Sequence, residues 1–529
     1  MKKILALLIT LLLTLTIGVI IMNNSIEYVK AEEDPVDTDD DGRPDDFEIA
    51  NYMNPEENDV EWTFLVYMCL DDVPLGTPSS LTNEAWEIIE RMSWVGCTDN
   101  INIVVQFDGT SQMNWANQDG SWGSLQNSQG AFAHTTRRFL VGNDTSKSWD
   151  YNNICNPANT VQTCYDVTNW PINDPRAHNT PNWEANMGDP DVLEEFIDWG
   201  MDTFDSENYC LYIYSHGEAS NGTCYDYNPS GTTLLTKDLL KMDEVAQIGT
   251  NLAAMTPPKK LDIVNLYSCF MGCIEFQTEF GSFCDWFVGS EDSMSAYGNE
   301  DNIVFNNVDC NPNWGPQTVA SDFVTNLYNC SRDGLSQLPQ SPNKPQYIPD
   351  WPSPSPLDNP FTYASINCGH LDTNDIIGEF EDLSLAIQSG VSGSKKTYFE
   401  NSLIGAVNNA VHFPQSGIFD YRTMDIYHFV DYFTSLTGII DNDWFALVGA
   451  ASNIKTILLN SPNSAGIDKF ENDTSYYSNA EGLSVTVFDD QGSYSRSSSQ
   501  YSDGTFEGDS AWGHVLQCLY TAGWTYTPI

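Results

Sequence analysis

Positive charge is what this 529-residue sequence has least of: 21 Lys and Arg stand against 74 Asp and Glu, a formal net charge of −53. A surface so acidic repels phosphate backbones, which argues against a nucleic-acid partner. It would attract cations and steer basic peptides inward at low salt, or simply keep the protein in solution. Long apolar runs are missing beyond the N-terminus, so no membrane span is expected in the mature chain. Tandem repeats are absent too. Histidine is scarce, and His134, His178, His370, His412, His428 and His514 have no partner at metal-ligand spacing, which argues against zinc. No Cys precedes Cys69, so the N-terminus offers no site for a lipid anchor.

What is present begins with a targeting signal. Lys2 and Lys3 precede an apolar run from Ile4 to Met22, and Val29-Lys30-Ala31 offers a small-residue cleavage site before Glu32. Residues 1–31 read as a secretory signal peptide, and the protein as secreted; the same run also fits an anchor that holds it at the cell surface. Thirteen cysteines is an odd number for an exported chain, so one free thiol with up to six bridges is a natural partition. Cys155 with Cys164 and Cys310 with Cys330 are candidate bridges, while Cys69 and Cys210 lie in apolar strands as candidate buried thiols.

An acidic segment, 32–58, follows. Counting from Asp37, the side-chain oxygens of Asp37, Asp39, Asp41, Asp45 and Glu48 fall at positions 1, 3, 5, 9 and 12, with Gly42 at 6. That is the spacing of an EF-hand-type calcium loop, in which Arg43 would add its carbonyl and Gly42 the sharp turn. The tail Asn51-Tyr-Met-Asn-Pro55 resembles that of a bacterial thrombospondin type 3-like repeat. A solvated acidic linker is the plainer alternative. A single loop suits a structural calcium clip better than a sensor.

From Trp62 the chain alternates strands and helices. Strands are expected at Trp62–Met68, Ile101–Phe107, Tyr209–Ser215, Leu261–Ser268 and Trp286–Ser290, each too apolar to face water on either side. The clearest helix starts after Asp189, a good N-cap, with Pro190 at its first position and Leu193, Phe196 and Ile197 on one face. The pattern predicts an α/β fold with a mostly parallel sheet sandwiched by helices. A core spans 59–333. Residues 334–360 form a Pro-rich linker or insertion, with eight prolines between Pro339 and Pro360. Residues 361–529 make a C-terminal helical and strand extension, with helices at Asp375–Gln388 and Asp425–Leu436 and a strand at Gly482–Phe488.

Two strands end on chemistry. His216-Gly217 closes one and Cys269 another, with Gly272 just beyond it. Open α/β sheets place their reacting groups at such ends, and one imidazole beside one thiol makes a nucleophile and its base. A buried cysteine and an unrelated histidine are the alternative.

The order of blocks resembles the clostripain family of cysteine peptidases, which shares the caspase-like fold with gingipains, legumains and caspases. Trp62–Met68 with Asp71-Asp72 resembles the first strand, Asn102–Asp108 the second, and Asn186-Met-Gly-Asp-Pro190 the stretch before the histidine. Ser215-His216-Gly217 and Ser268-Cys269-Phe-Met-Gly272 resemble the dyad segments, and Gly289–Asp292 with Tyr297-Gly298 the strand and pocket loop that follow. The resemblance implies an endopeptidase acting on proteins or peptides, with Cys269 as nucleophile, His216 as acid–base, and the N–H groups of Gly217 and Cys269 as oxyanion donors. A helix beginning just after Cys269 would lower its thiol pKa. The family carries Asp-Ala before the nucleophile, and that Asp helps hold Arg or Lys at P1. Here Tyr267-Ser268 stand in its place. A basic P1 preference would need charge from Glu291, Asp292 or Asp301, whereas a pocket built on Tyr267 and Ser268 suits an uncharged side chain. The same dyad fits a transpeptidase or amidase, and loss of the pocket Asp fits a non-catalytic binding protein on the same fold.

Overall fold

A computed structural model describes residues 37, 43, 53, 60–71, 80–109, 114–116, 122–124, 136–143, 164–166, 185–227, 237–294, 301–333, 362–372, 374–413, 421–437, 441–459, 467–472, 480–495 and 504–525. The chain divides into two compact units, Met1–Asn58 and Asp59–Ile529. In the first, the Arg43 guanidinium donates to the Met53 sulfur at 3.4 Å. Asp39, Asp41, Asp45 and Glu48 lie outside the described residues, as do the signal segment and the Pro-rich stretch.

The second unit is built on one sheet. Its centre is five parallel strands: β1 (Trp62–Leu70), β2 (Ile101–Gly109), β3 (Asn208–Tyr214), β4 (Leu261–Tyr267) and β5 (Cys284–Gly289), in the spatial order β5-β4-β3-β1-β2. Every residue of β1 and β2 is buried, as their unbroken apolar runs require of strands covered on both faces. Helix α1 (Pro190–Thr203) covers one face of β1: the Phe196 ring lies 5.7 Å from Tyr67. Phe64, one pleat over, meets Phe305 of α2 (Asp301–Cys310) on the other face at 4.5 Å between centroids. Asp189 caps α1 by accepting from the Asp191 N–H, as its side chain and the following proline predict.

Antiparallel pairs extend the parallel centre at both edges. Arg137–Val141 pairs with β2 and then with Cys164–Asp166; on the far side Thr362–Asn367 pairs with β5 and then with Ile467–Asn472. The parallel centre matches the expected fold class, and four of these edge strands were not read from sequence because they are short or polar. The Cys155–Cys164 and Cys310–Cys330 pairs each involve a side chain outside the described set, and Cys310 itself is an exposed thiol.

The C-terminal extension is not a separate body. Its three-stranded antiparallel sheet, including β6 (Tyr421–Asp425) and β7 (Ser484–Phe488), sits against α3 (Ile274–Gly281), the helix that follows Cys269. The contact is polar: Glu275 accepts from the Thr486 N–H at 2.7 Å, and Glu279 from the Thr505 N–H at 2.5 Å. Behind it, Trp512 packs edge-on between Phe380 and Phe429, at 5.7 and 5.5 Å, and donates to the Thr486 carbonyl at 3.1 Å. Its ring is buried against three elements distant in sequence. Trp512→Ala should therefore destabilise the fold by about 3–5 kcal/mol, read by denaturant titration. A loss below about 1 kcal/mol would mean that the extension contributes little to the folded core.

Candidate active site

Both candidate reacting residues lie the same distance beyond paired strands. β3 and β4 run parallel, with Tyr214 opposite Tyr267 as the last pair. Ser215 and Ser268 follow side by side in sequence register, and His216 and Cys269 come next. The turns then close on one another. A Cβ built on Gly217 would stand 2.3 Å from the Cys269 carbonyl oxygen, so backbone meets backbone there and only glycine fits. The His216 carbonyl accepts from Thr223 at 2.8 Å, and its ring lies 5.9 Å from that of Tyr225. These contacts help hold the histidine turn.

Cys269 is partly buried, and its sulfur accepts from the Met294 N–H at 3.2 Å. Burial pushes its thiol above the ordinary range, and Asp292 adds to this, while the Met294 N–H and its own backbone N–H pull the other way. This differs from the helix-lowered thiol expected from sequence, and the local geometry supplies the reason. Phe270 takes a left-handed φ of 62°, and helix α3 begins only at Ile274, with Cys273 as its cap. The intervening residues are spent on backbone pairing: Phe270 N–H donates to the Asp292 carbonyl at 2.9 Å, Gly272 N–H to Ser290 at 2.5 Å, and Ser484 N–H to Gly272 at 2.9 Å. A helix terminus five residues along exerts little field on the sulfur.

The pocket candidates are all buried. Tyr267 stacks with Tyr212 and Tyr214, at 6.4 and 5.9 Å, and meets Tyr363 edge-on at 6.3 Å. Ser268 points its hydroxyl into the interior, where it makes no hydrogen bond among the described residues. Asp301 accepts from the Tyr212 hydroxyl at 3.3 Å, at the foot of the tyrosine stack. Asp292 is buried beside the Phe270 turn. Glu291 faces the C-terminal extension: its carboxylate, which feels Asp425, accepts from the Gly482 N–H at 3.0 Å, and its carbonyl accepts from Thr423 at 2.9 Å. The contributions of Tyr225, Met294 and Asp425 were not read from sequence. Met294 acts through its backbone N–H, which no side-chain pattern signals. A cavity of about 290 Å³ lined by Lys396, Glu400, His514 and Cys518 lies among the C-terminal helices and includes neither His216 nor Cys269.

A cysteine and a histidine thus sit on touching turns at the carboxyl edge of a parallel sheet, an arrangement that cysteine-hydrolase chemistry could use. A family model described as the clostripain family matches residues 66–337, just over half of the 529 residues, and the chain belongs to that family. Clostripain of Hathewaya histolytica is 27% identical over 111 residues, which is 20% of this chain and 20% of that protein. The alignment therefore spans about a fifth of that relative's length. Among solved structures, a secreted C11 cysteine protease from Bacteroides thetaiotaomicron bound to an irreversible peptide inhibitor is 13% identical, with a TM-score of 0.48 over 86% of this chain and 99% of that one. An inactive zymogen C11 protease from Parabacteroides distasonis gives the same values.

The carboxyl pair behind the nucleophile turn sets a pH dependence. Burial pushes Glu291 well above the usual carboxylate range, with Asp425 adding to it. Burial likewise raises Asp425 from 3.8 to about 7. The folded protein then holds protons that the unfolded chain has released, so stability falls as pH rises from about 4 through about 7. Glu291→Gln keeps an acceptor for Gly482 and removes the titratable group whose charge acts on Asp425. It should flatten that slope and raise Tm at pH 8 by about 2 °C or more relative to its effect at pH 5. Parallel pH–Tm curves for the parent and this variant would show that Glu291 does not contribute to this slope.

Proposed function

We propose that this protein is an exported cysteine endopeptidase that cleaves protein or peptide substrates with Cys269 and His216. The observation that carries this reading is the close approach of Gly217 to the Cys269 carbonyl, which sets both turns together at one sheet edge. His216 would take the thiol proton as Cys269 attacks the scissile carbonyl, and would return it to the leaving amine. Because burial holds the thiol protonated, the proton transfer accompanies attack rather than preceding it as a standing ion pair. The Gly217 and Cys269 N–H groups are the proposed donors to the developing oxyanion, in a site where backbone can approach the substrate closely.

Specificity follows from what replaces the family's acidic residue. Tyr267 brings an aromatic wall and no fixed charge, and burying an unpaired guanidinium is strongly unfavourable. A weaker Arg and Lys preference at P1 than in other members of the family is therefore proposed, with Asp301 and Asp292 as the carboxylates available to oppose it. Export is supported by the basic and apolar N-terminal segment, and no helix among the described residues is long and apolar enough to cross a membrane.

Cys269→Ala should remove all peptide cleavage while leaving the thermal unfolding curve in place, and His216→Ala should reduce kcat/KM by several orders of magnitude. Hydrolysis persisting in Cys269→Ala would refute the nucleophile; silence of the parent across a full P1 library would favour the binding-protein reading. Within that library, a parent that prefers Arg by about two orders of magnitude, with no gain from Tyr267→Asp, would place the selecting charge elsewhere.

Calcium binding at Asp37, Asp39, Asp41, Arg43, Asp45 and Glu48 is proposed as a structural clip, on the spacing of those residues alone. Calcium at about a hundred times its Kd should add roughly 2.7 kcal/mol to the stability of the unit that contains the loop. A calorimetric calcium titration unchanged in an Asp37→Ala, Asp41→Ala double variant would eliminate this site.

A further inference from the structure

The described buried thiols have differing partners. The Cys69 thiol donates to the Tyr225 carbonyl at 2.9 Å, although Cys224 lies beside it, and Cys97 accepts from the Ile103 N–H at 3.2 Å. Cys284 is different. Its sulfur lies 3.3 Å from that of Cys368, 84 residues later, with both side chains buried. We propose that Cys284 and Cys368 are joined by a disulfide once the protein meets an oxidising environment, a modification independent of the peptidase reading.

The backbone brings the two together by a departure from ladder geometry. Cys284 opens β5, whose antiparallel partner Thr362–Asn367 pairs Trp286 with Asn367. Continuation of that ladder would set Cys284 across from Gly369 and leave Cys368 one residue out of register. Instead the chain turns into a short 3₁₀ helix at Cys368–His370, capped by the Asn367 side chain on the Gly369 N–H at 2.9 Å. The turn rotates Cys368 back over the start of β5. A disulfide sulfur separation is about 2.05 Å, so the remaining approach of about 1.3 Å falls within reach of side-chain rotation. The end of α3 encloses the pair: a Cβ on Gly281 would stand 3.4 Å from Cys368 Cβ.

The exchange chemistry balances with a low-molecular-weight disulfide as oxidant. The Cys368 thiolate attacks one sulfur of that disulfide and expels one thiolate, and Cys284 then attacks the mixed disulfide and expels the second. Two protein thiols become one S–S bond, and the two electrons and two protons leave on two small thiols. Burial raises the Cys284 thiol, with Cys368 beside it adding to this, and the nearby Lys260 ammonium offsets part of the effect. Exchange is accordingly slow unless the edge opens, and the product, once formed, is shielded from reductants. The bond closes a ring over residues 285–367, which includes the Met294 contact to Cys269 and the Pro-rich stretch. A backbone cut within that ring would leave the two fragments covalently joined.

The test is a disulfide map of the full chain after equilibration with oxidised glutathione, followed by denaturation in an alkylating agent and digestion. The expected product is the Cys284 peptide linked to the Cys368 peptide, lighter than their sum by two hydrogens. In Cys368→Ala that species disappears and Cys284 is recovered alkylated or as a glutathione adduct. Thermal unfolding of the parent should drop by several degrees on reduction, a shift absent from Cys368→Ala. Recovery of both cysteines in alkylated form at equilibrium, or either one linked to another cysteine, would overturn the proposal, and that result needs only the parent chain.

Discussion

The parallel, in-register pairing of β3 with β4 is the constraint on which this molecule depends. Hydrogen bonding between these strands ends at Tyr214 and Tyr267, so both chains leave the sheet together and turn at the same height. Parallel strands cannot be joined by a tight turn, so the intervening chain must cross over through a helix, here Met242–Ala254. The crossover puts two residues 53 positions apart onto touching turns. Gly217 completes the arrangement, because any side chain there would collide with the Cys269 carbonyl.

A second theme is the use of buried carboxylates as acceptors for backbone. Glu275 and Glu279 of α3 and Glu291 just after β5, with Asp425 from the extension, receive N–H groups from Thr486, Thr505, Gly482 and Glu481. Hydrogen bonds are directional, so they register the extension on the turn and helix after Cys269 as well as attaching it. With so few basic residues in the chain, backbone amides take a role that arginine and lysine would otherwise share. One of the scarce cations is committed deeply: Arg138 is wholly buried, bonded to Gln106 and Glu195 and stacked on Trp199.

The tyrosine stack beneath the dyad has a structural use. Tyr212, Tyr214, Tyr267 and Tyr363 fill the space under the strand ends with rigid rings, which props the two turns from below. At the foot of the stack the Tyr212 hydroxyl contacts Asp301.

The sequence by itself determined the parallel core and the place of His216 and Cys269 just beyond the ends of two of its strands, because both are local signals. Apolar runs such as Trp62–Leu70 must be covered on both faces, Asp189-Pro190 must start a helix, and a histidine and a cysteine closing such strands stand at the carboxyl edge of the sheet. Tertiary structure alone decided what surrounds them. Glu291 reads from sequence as a pocket charge, yet it is turned toward Gly482 and Asp425, 191 and 134 residues away. The thiol reads as helix-activated, yet the chain first pairs with Ser290 and Ser484, so burial sets its proton affinity. Cys284 and Cys368 carry no spacing that links them, and only a turn at the edge of the sheet brings their sulfurs together. Local pattern fixes which face a residue takes on its own element; which distant element covers that face is a property of the packed whole.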